Sequence, residues 1–218
     1  MTAETFDCSD GAQRPLGISS AISALKDGRL VVLPTDTVYG IGADAFNGTA
    51  VASLLAAKGR GRDMPVPVLV GSWHTIDGLV YTVPSAAREL IRAFWPGALS
   101  LVVRQAPSLQ WDLGDAHGTV MLRMPLHPVA IELLREVGPM AVSSANKSGS
   151  PAAVTAADAR EQLGDLVGVY LEAGPSAQGA ASTIVDLTGA TPRILREGPI
   201  TSAAIAGVLG VEAQTLAV

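Results

Sequence analysis

Cysteine is nearly missing from this chain. Cys8 stands alone among 218 residues, which excludes an intramolecular disulfide and any cysteine-based metal cluster. Aromatic residues make up only 4 %, so the core has to be assembled from Ala, Val, Leu and Ile within a hydrophobic fraction of 48 %. A formal net charge of −5 argues against a protein that coats nucleic acid over its whole surface, since that needs a broad basic face. Long apolar runs are lacking too. Residues 1–10 are polar and acidic, unlike a signal peptide. Residues 200–218 carry Thr201, Ser202, Glu212 and Gln214 and are interrupted by Gly207 and Gly210, so they read as a packed helix and not as a membrane span. We expect a cytoplasmic protein without a membrane partner.

Two common nucleotide signatures are absent: Gly-x-x-x-x-Gly-Lys-Ser/Thr and Gly-x-Gly-x-x-Gly. His74, His117 and His127 are far apart and show no metal-ligand spacing. No covalent nucleophile is supported by the pattern, because the members of a catalytic triad are neighbours in space and not in sequence.

What is present reads as an α/β protein. Helical spacing occupies residues 16–26, 49–58, 84–94, 128–137 and 155–163, the last opening on a Thr155-x-x-Asp158 cap. Short aliphatic strands are expected at 30–33, 66–70, 99–103, 120–124, 169–171, 183–187 and 194–195. The alternation predicts a sheet flanked by helices, mixed or parallel. Residues 1–14 read as a flexible arm, 15–210 as one domain and 211–218 as a tail.

The cations are concentrated. Lys58-Gly59-Arg60-Gly61-Arg62 places three positive charges within five residues of an acidic chain. Its glycines suit a loop that lets backbone and guanidinium groups approach a polyanion. A helix C-terminus would account for Lys58 through the helix dipole, but not for Arg60 and Arg62 beyond it. Two polar loops accompany it, Thr35-Asp36-Thr37 and 143–149, the latter holding Ser144 and Asn146. Taken singly, each also fits an ordinary turn or cap. Arg123 and Arg196 lie inside apolar strand patterns. An arginine there is either an edge-strand charge or points into a cleft to hold a carboxylate or phosphate.

Jointly these segments resemble the threonylcarbamoyl-AMP synthase, or YrdC-like, family. The matching pieces are Pro34-Thr35-Asp36-Thr37-Val38-Tyr39-Gly40, Lys58-Gly59-Arg60, Trp95-Pro96-Gly97, Thr119 to Arg123, Ser144-Ala145-Asn146, Ser182-Thr183-Ile184 and Ile194-Leu195-Arg196, in family order. The resemblance implies a twisted, mostly parallel or mixed sheet around a deep, positively lined cavity. It implies synthesis of L-threonylcarbamoyladenylate and pyrophosphate from L-threonine, bicarbonate or CO2, and ATP. The product would pass to a separate tRNA threonylcarbamoyltransferase for N6-threonylcarbamoylation of adenosine 37, with a weak tRNA contact compatible.

By motif position, Lys58 and Arg60 would be catalytic and would also bind ATP, together with Thr119, Ser144, Asn146 and Arg196. Thr37, Arg123 and Ser182 would hold threonine. Mg2+ would be carried mainly by the ATP phosphates and not by protein side chains. The chain departs from the family's usual Lys-x-Arg-Pro and Asn-Pro-Leu at Gly61, Arg62 and Met64, has Leu69 where relatives often carry a histidine, and has Ala152 for a serine. Longer relatives have a second C-terminal domain, which this chain is expected to lack. The rival reading is a non-catalytic double-stranded RNA-binding or ribosome-maturation protein on the same fold. A carbamoyl-transfer enzyme with another acceptor is a third.

Overall fold

The computed structural model describes residues 2–216. Its strands form one ten-stranded sheet. In chain order they are β1 (Glu4–Asp7), β2 (Val31–Leu33), β3 (Gly40–Asp44), β4 (Val68–Leu69), β5 (Leu99–Arg104), β6 (Thr119–Arg123), β7 (Met140–Ser144), β8 (Val169–Glu172), β9 (Thr183–Asp186) and β10 (Arg193–Arg196). The spatial order is β1-β8-β2-β3-β7-β4-β6-β5-β9-β10.

The sheet is mixed, and the mostly parallel form is not what is found. β8 pairs parallel with β1 and β2, β4 with β6, and β5 with β9, but β2–β3, β3–β7, β4–β7, β5–β6 and β9–β10 are antiparallel. Chain length explains part of this. Six residues separate β2 from β3, too few for the crossover that a parallel pair needs.

The helices are α1 (Gln13–Lys26), α2 (Gly48–Lys58), α3 (Ser85–Phe94), α4 (Pro128–Val137), α5 (Ala156–Leu163) and α6 (Ser202–Leu209). Their ends follow local chemistry. The Asn47 side chain accepts the Ala50 N–H at the start of α2, and Gly59, at φ 62°, ends it in a left-handed conformation. The expected Thr155/Asp158 capping box opens α5.

Strand alternation sorts the core onto two faces. Val31 and Leu33 pack with Ile18, Leu25, Leu133 and Met140 under α1 and α4. Val32 and Ala141 face the opposite way, into a larger cluster with Leu54, Leu90 and Ile205 from α2, α3 and α6. No helix among the described residues is long and apolar enough to cross a membrane.

Of the expected flexible arm at 1–14, the described residues 2–14 are not an arm. Residues 4–7 form the edge strand β1 in parallel register with β8, and Gly17 of α1 passes so near that an added Cβ would lie 2.8 Å from Phe6 Cβ. The alternation of β1 is too short and too polar to mark it in sequence. The expected tail at 211–218 holds a 3-10 turn, Ala213–Leu216, whose Leu216 is buried. Residues 217 and 218 of that tail lie outside the described residues.

Candidate active site

A cavity of about 220 Å3 opens on the α1–α4 face of the sheet. Leu69 and Val142 belong both to the cluster under those helices and to the cavity wall, so the cavity begins where the helical cover stops. Period-two geometry chooses its residues. Met121 and Arg123 of β6 face it while Val120 and Leu122 point to the core. Ser182 and Ile184 do the same at the start of β9. Gly40 on β3 permits a close wall, since a Cβ there would lie 2.6 Å from Val142 Cγ1.

Three arginines, Arg60, Arg123 and Arg196, line this space, and no acidic side chain does among the described residues. Arg123 is 7 % exposed and fully engaged on one side. Its Nε donates to Gly97 O at 2.9 Å, Nη1 to Thr37 Oγ1 at 2.8 Å, and Nη2 to the Asp36 carboxylate. β6 sits between β4 and β5, so Arg123 is no edge-strand charge. Burial pulls its pKa below the ordinary arginine value, Asp36 opposes that, and nearby Arg196 adds to it. Arg196 does lie on an edge strand, β10, yet it folds inward. Its Nε and Nη2 donate to Ser182 O at 2.9 and 2.7 Å. Ser182 Oγ lies 2.8 Å from Ser100 Oγ, both buried.

On the opposite wall, Arg60 Nη1 donates to Ser143 Oγ at 3.3 Å, while its Nε is buried with no partner. Gly59 makes this possible, because the left-handed turn ends α2 and sends Arg60 toward β7. Lys58 behaves differently. Only 3 % exposed, it does not line the cavity. Its Nζ donates to Ser144 O at 2.5 Å and Asn146 O at 2.7 Å, and so pins the turn after β7 to the end of α2. Burial pushes its pKa down to about 8, with the neighbouring Arg60 charge adding to the effect.

The cavity therefore gathers Thr37, Arg60, Arg123, Ser144, Ser182 and Arg196. Lys58, Asn146 and Thr119 stand outside its wall. Asn146 uses its amide nitrogen on Lys147 O and Ser150 O at 2.9 and 2.8 Å. Thr119 shares the face of Met121 and Arg123, but its hydroxyl donates to Ala116 O at 2.7 Å. Ser143 and Ser144, expected in a loop, are the last residues of β7. Sequence reasoning gave Ser100 no role and took Ser143 and Asp36 only as members of polar loops. Only the fold brings them to Ser182, Arg60 and Arg123.

Arg62 is absorbed elsewhere. It forms a forked pair with Asp112 at 2.8 and 3.0 Å and reaches Asp115 at 3.3 Å, all exposed. It braces the 112–115 loop. Surface pairs of this kind contribute little, so Arg62→Ala should melt close to the parent protein in a thermal scan. A large drop would show the brace to matter.

A family model described as telomere recombination, covering the Sua5, YciO and YrdC proteins, matches residues 23–198. The chain belongs to the Sua5/YciO/YrdC family. A Mycobacterium tuberculosis (strain H37Rv) member is 77 % identical over 213 residues, 98 % of each chain, and is named provisionally for threonylcarbamoyl-AMP synthesis. The Bacillus subtilis (strain 168) threonylcarbamoyl-AMP synthase is 37 % identical over 195 residues, 88 % of this chain and 56 % of that one. Pyrococcus abyssi Sua5, solved in complex with L-threonine, matches with a TM-score of 0.89 at 31 % identity, covering 96 % of this chain and 61 % of that one. The chain thus spans less than two thirds of the Bacillus and Pyrococcus relatives, and nearly all of the mycobacterial one.

Proposed function

We propose that this chain is an L-threonylcarbamoyladenylate synthase, converting L-threonine, bicarbonate and ATP to threonylcarbamoyl-AMP, pyrophosphate and water. The observation that carries this reading is one cavity holding a buried, oriented arginine beside two further arginines, in a chain whose similar curated relatives are named for threonylcarbamoyl-AMP synthesis. Threonine's amine takes up CO2 as a carbamate, and a carbamate oxygen attacks the ATP α-phosphorus while the bond to pyrophosphate breaks. The substrate is the nucleophile, so the enzyme contributes position and charge. Arg123 and Thr37 would hold the threonine carboxylate and Ser182 would flank it. Arg60, Ser144 and Arg196 would face the nucleotide, with Lys58 and Asn146 shaping the turn behind Ser144. Thr119, farther along the same strand face, would lie toward the ATP side. Magnesium enters as part of the ATP complex, and the product goes on to a tRNA threonylcarbamoyltransferase.

The test is pyrophosphate release with ATP, Mg2+, bicarbonate and L-threonine. Release should require both threonine and bicarbonate, and release without either would overturn the reading.

Lys58 gives a pH signature. At a pKa of about 8 it is largely neutral at pH 8.5. A phosphate against Arg60 offsets the repulsion between the two cations and raises the Lys58 pKa. ATP binding at pH 8.5 should then take up protons, and affinity should fall as pH rises through about 8. Calorimetric heats should vary with the ionisation enthalpy of the buffer, and Lys58→Arg should remove that dependence. Buffer-independent heats in the parent protein would place Lys58 outside the anion's field.

A further inference from the structure

We infer that Asp36 is the positioning residue for Arg123, locking the guanidinium in the orientation that presents its remaining donors to the cavity. This rests on the functional reading above for its kinetic consequences, but not for its geometry.

Asp36 lies in the loop between β2 and β3, where every residue from 31 to 40 is buried. It is itself 6 % exposed and is absent from the cavity wall, so it acts from behind. Its Oδ1 accepts from Arg123 Nη2 and, at 2.9 Å, from the backbone N–H of Leu126. One oxygen thus ties the β2–β3 loop both to the end of β6 and to the segment leading into α4. An arginine carries five N–H donors in a rigid plane. Gly97 O, Thr37 Oγ1 and Asp36 Oδ1 take one each from Nε, Nη1 and Nη2, and leave one N–H on each terminal nitrogen. These two are what a carboxylate ligand can accept. Of the three anchors, only Asp36 carries charge. Without it, the plane is held by one carbonyl and one hydroxyl that can rotate away. The second carboxylate oxygen of Asp36 is buried without a hydrogen-bond partner, so Asp36→Asn can retain both Oδ1 contacts while removing the charge.

The kinetic test compares Asp36→Asn and Asp36→Glu with the parent protein. Asp36→Asn should raise KM for L-threonine at least about tenfold with KM for ATP within about twofold, both measured below its melting range, which should fall because the buried Arg123 loses its counter-charge. Asp36→Glu should recover part of the threonine KM. Equal rises in both KM values, or a fall in kcat alone proportional to lost folded protein, would overturn the inference. A second readout is independent of activity: the 15N side-chain NMR signals of Arg123, assigned by their loss in Arg123→Lys. Separate Nη signals, marking slow rotation about Cζ–Nε, should be seen in the parent protein and merge in Asp36→Asn. Signals that are merged in both proteins, or separate in both, would overturn it. Should the parent protein show no threonine-dependent turnover, the functional reading fails while the NMR comparison still decides the role of Asp36.

Discussion

Replacing Arg123 by alanine is expected to remove about 3–5 kcal/mol of folding stability, because it strands the buried Asp36 carboxylate without its cation. For a domain of this size that corresponds to a fall in melting temperature of roughly 6–20 °C. The same change frees Gly97 O and Thr37 Oγ1 of their partner. A lysine at 123 separates stability from binding. It keeps a charge near Asp36 but cannot present two donors in one plane. Arg123→Lys should therefore melt nearer the parent while kcat/KM for threonine falls on the order of 10–100-fold, the loss of one charge-assisted hydrogen bond of about 1.5–3 kcal/mol. Arg123→Ala melting within a degree or two of the parent would show that the pair does not hold the β2–β3 loop.

Arg60→Ala is the second large effect. Arg60 keeps only a 3.3 Å contact to Ser143 and has a buried Nε without a partner, so little of the fold depends on it. Loss of a charged group that stabilises a developing phosphate charge costs about 2–4 kcal/mol, or roughly 30–1000-fold in turnover. The variant should melt like the parent. Lys58→Ala should lose turnover on a comparable scale for a different reason. Its ammonium is spent on Ser144 O and Asn146 O, and removing it leaves two carbonyls to be resatisfied where the turn after β7 meets α2. Its melting temperature should fall along with its rate. Equal melting of both variants would mean that Lys58 acts on the ligand directly. Unchanged turnover in Arg60→Ala would remove the loop after α2 from the chemistry.

Much of the fold was legible where one physical signal dominated. The helix over Pro128–Val137 begins at a proline suited to a first turn, and the Thr155/Asp158 cap opens α5 as written in its residues. β3 and β7 were not legible. Gly40 and Gly42 lack strand propensity, yet they are there because Val142 and Met140 of β7 occupy the space of their side chains. The charge at Arg62 was misleading in the opposite way. Sequence nearness to Lys58 and Arg60 suggested a shared anion, whereas Asp112 and Asp115, some fifty residues on, take its guanidinium.

From sequence alone came the aliphatic α/β composition, the family motifs and the residue types suited to an anionic substrate. These follow from local rules: helical and strand periods, glycine and proline punctuation, and the cost of charge in an apolar run. Tertiary structure decided which side chains meet. A residue's face on a strand follows from alternation, but its neighbours follow from pairing order, and that order is set by contacts between segments far apart in the chain. So Arg123 became a buried, oriented group and not an edge charge, Asp36 its support, and Lys58 the strut beneath the wall from which Arg60 faces the cavity.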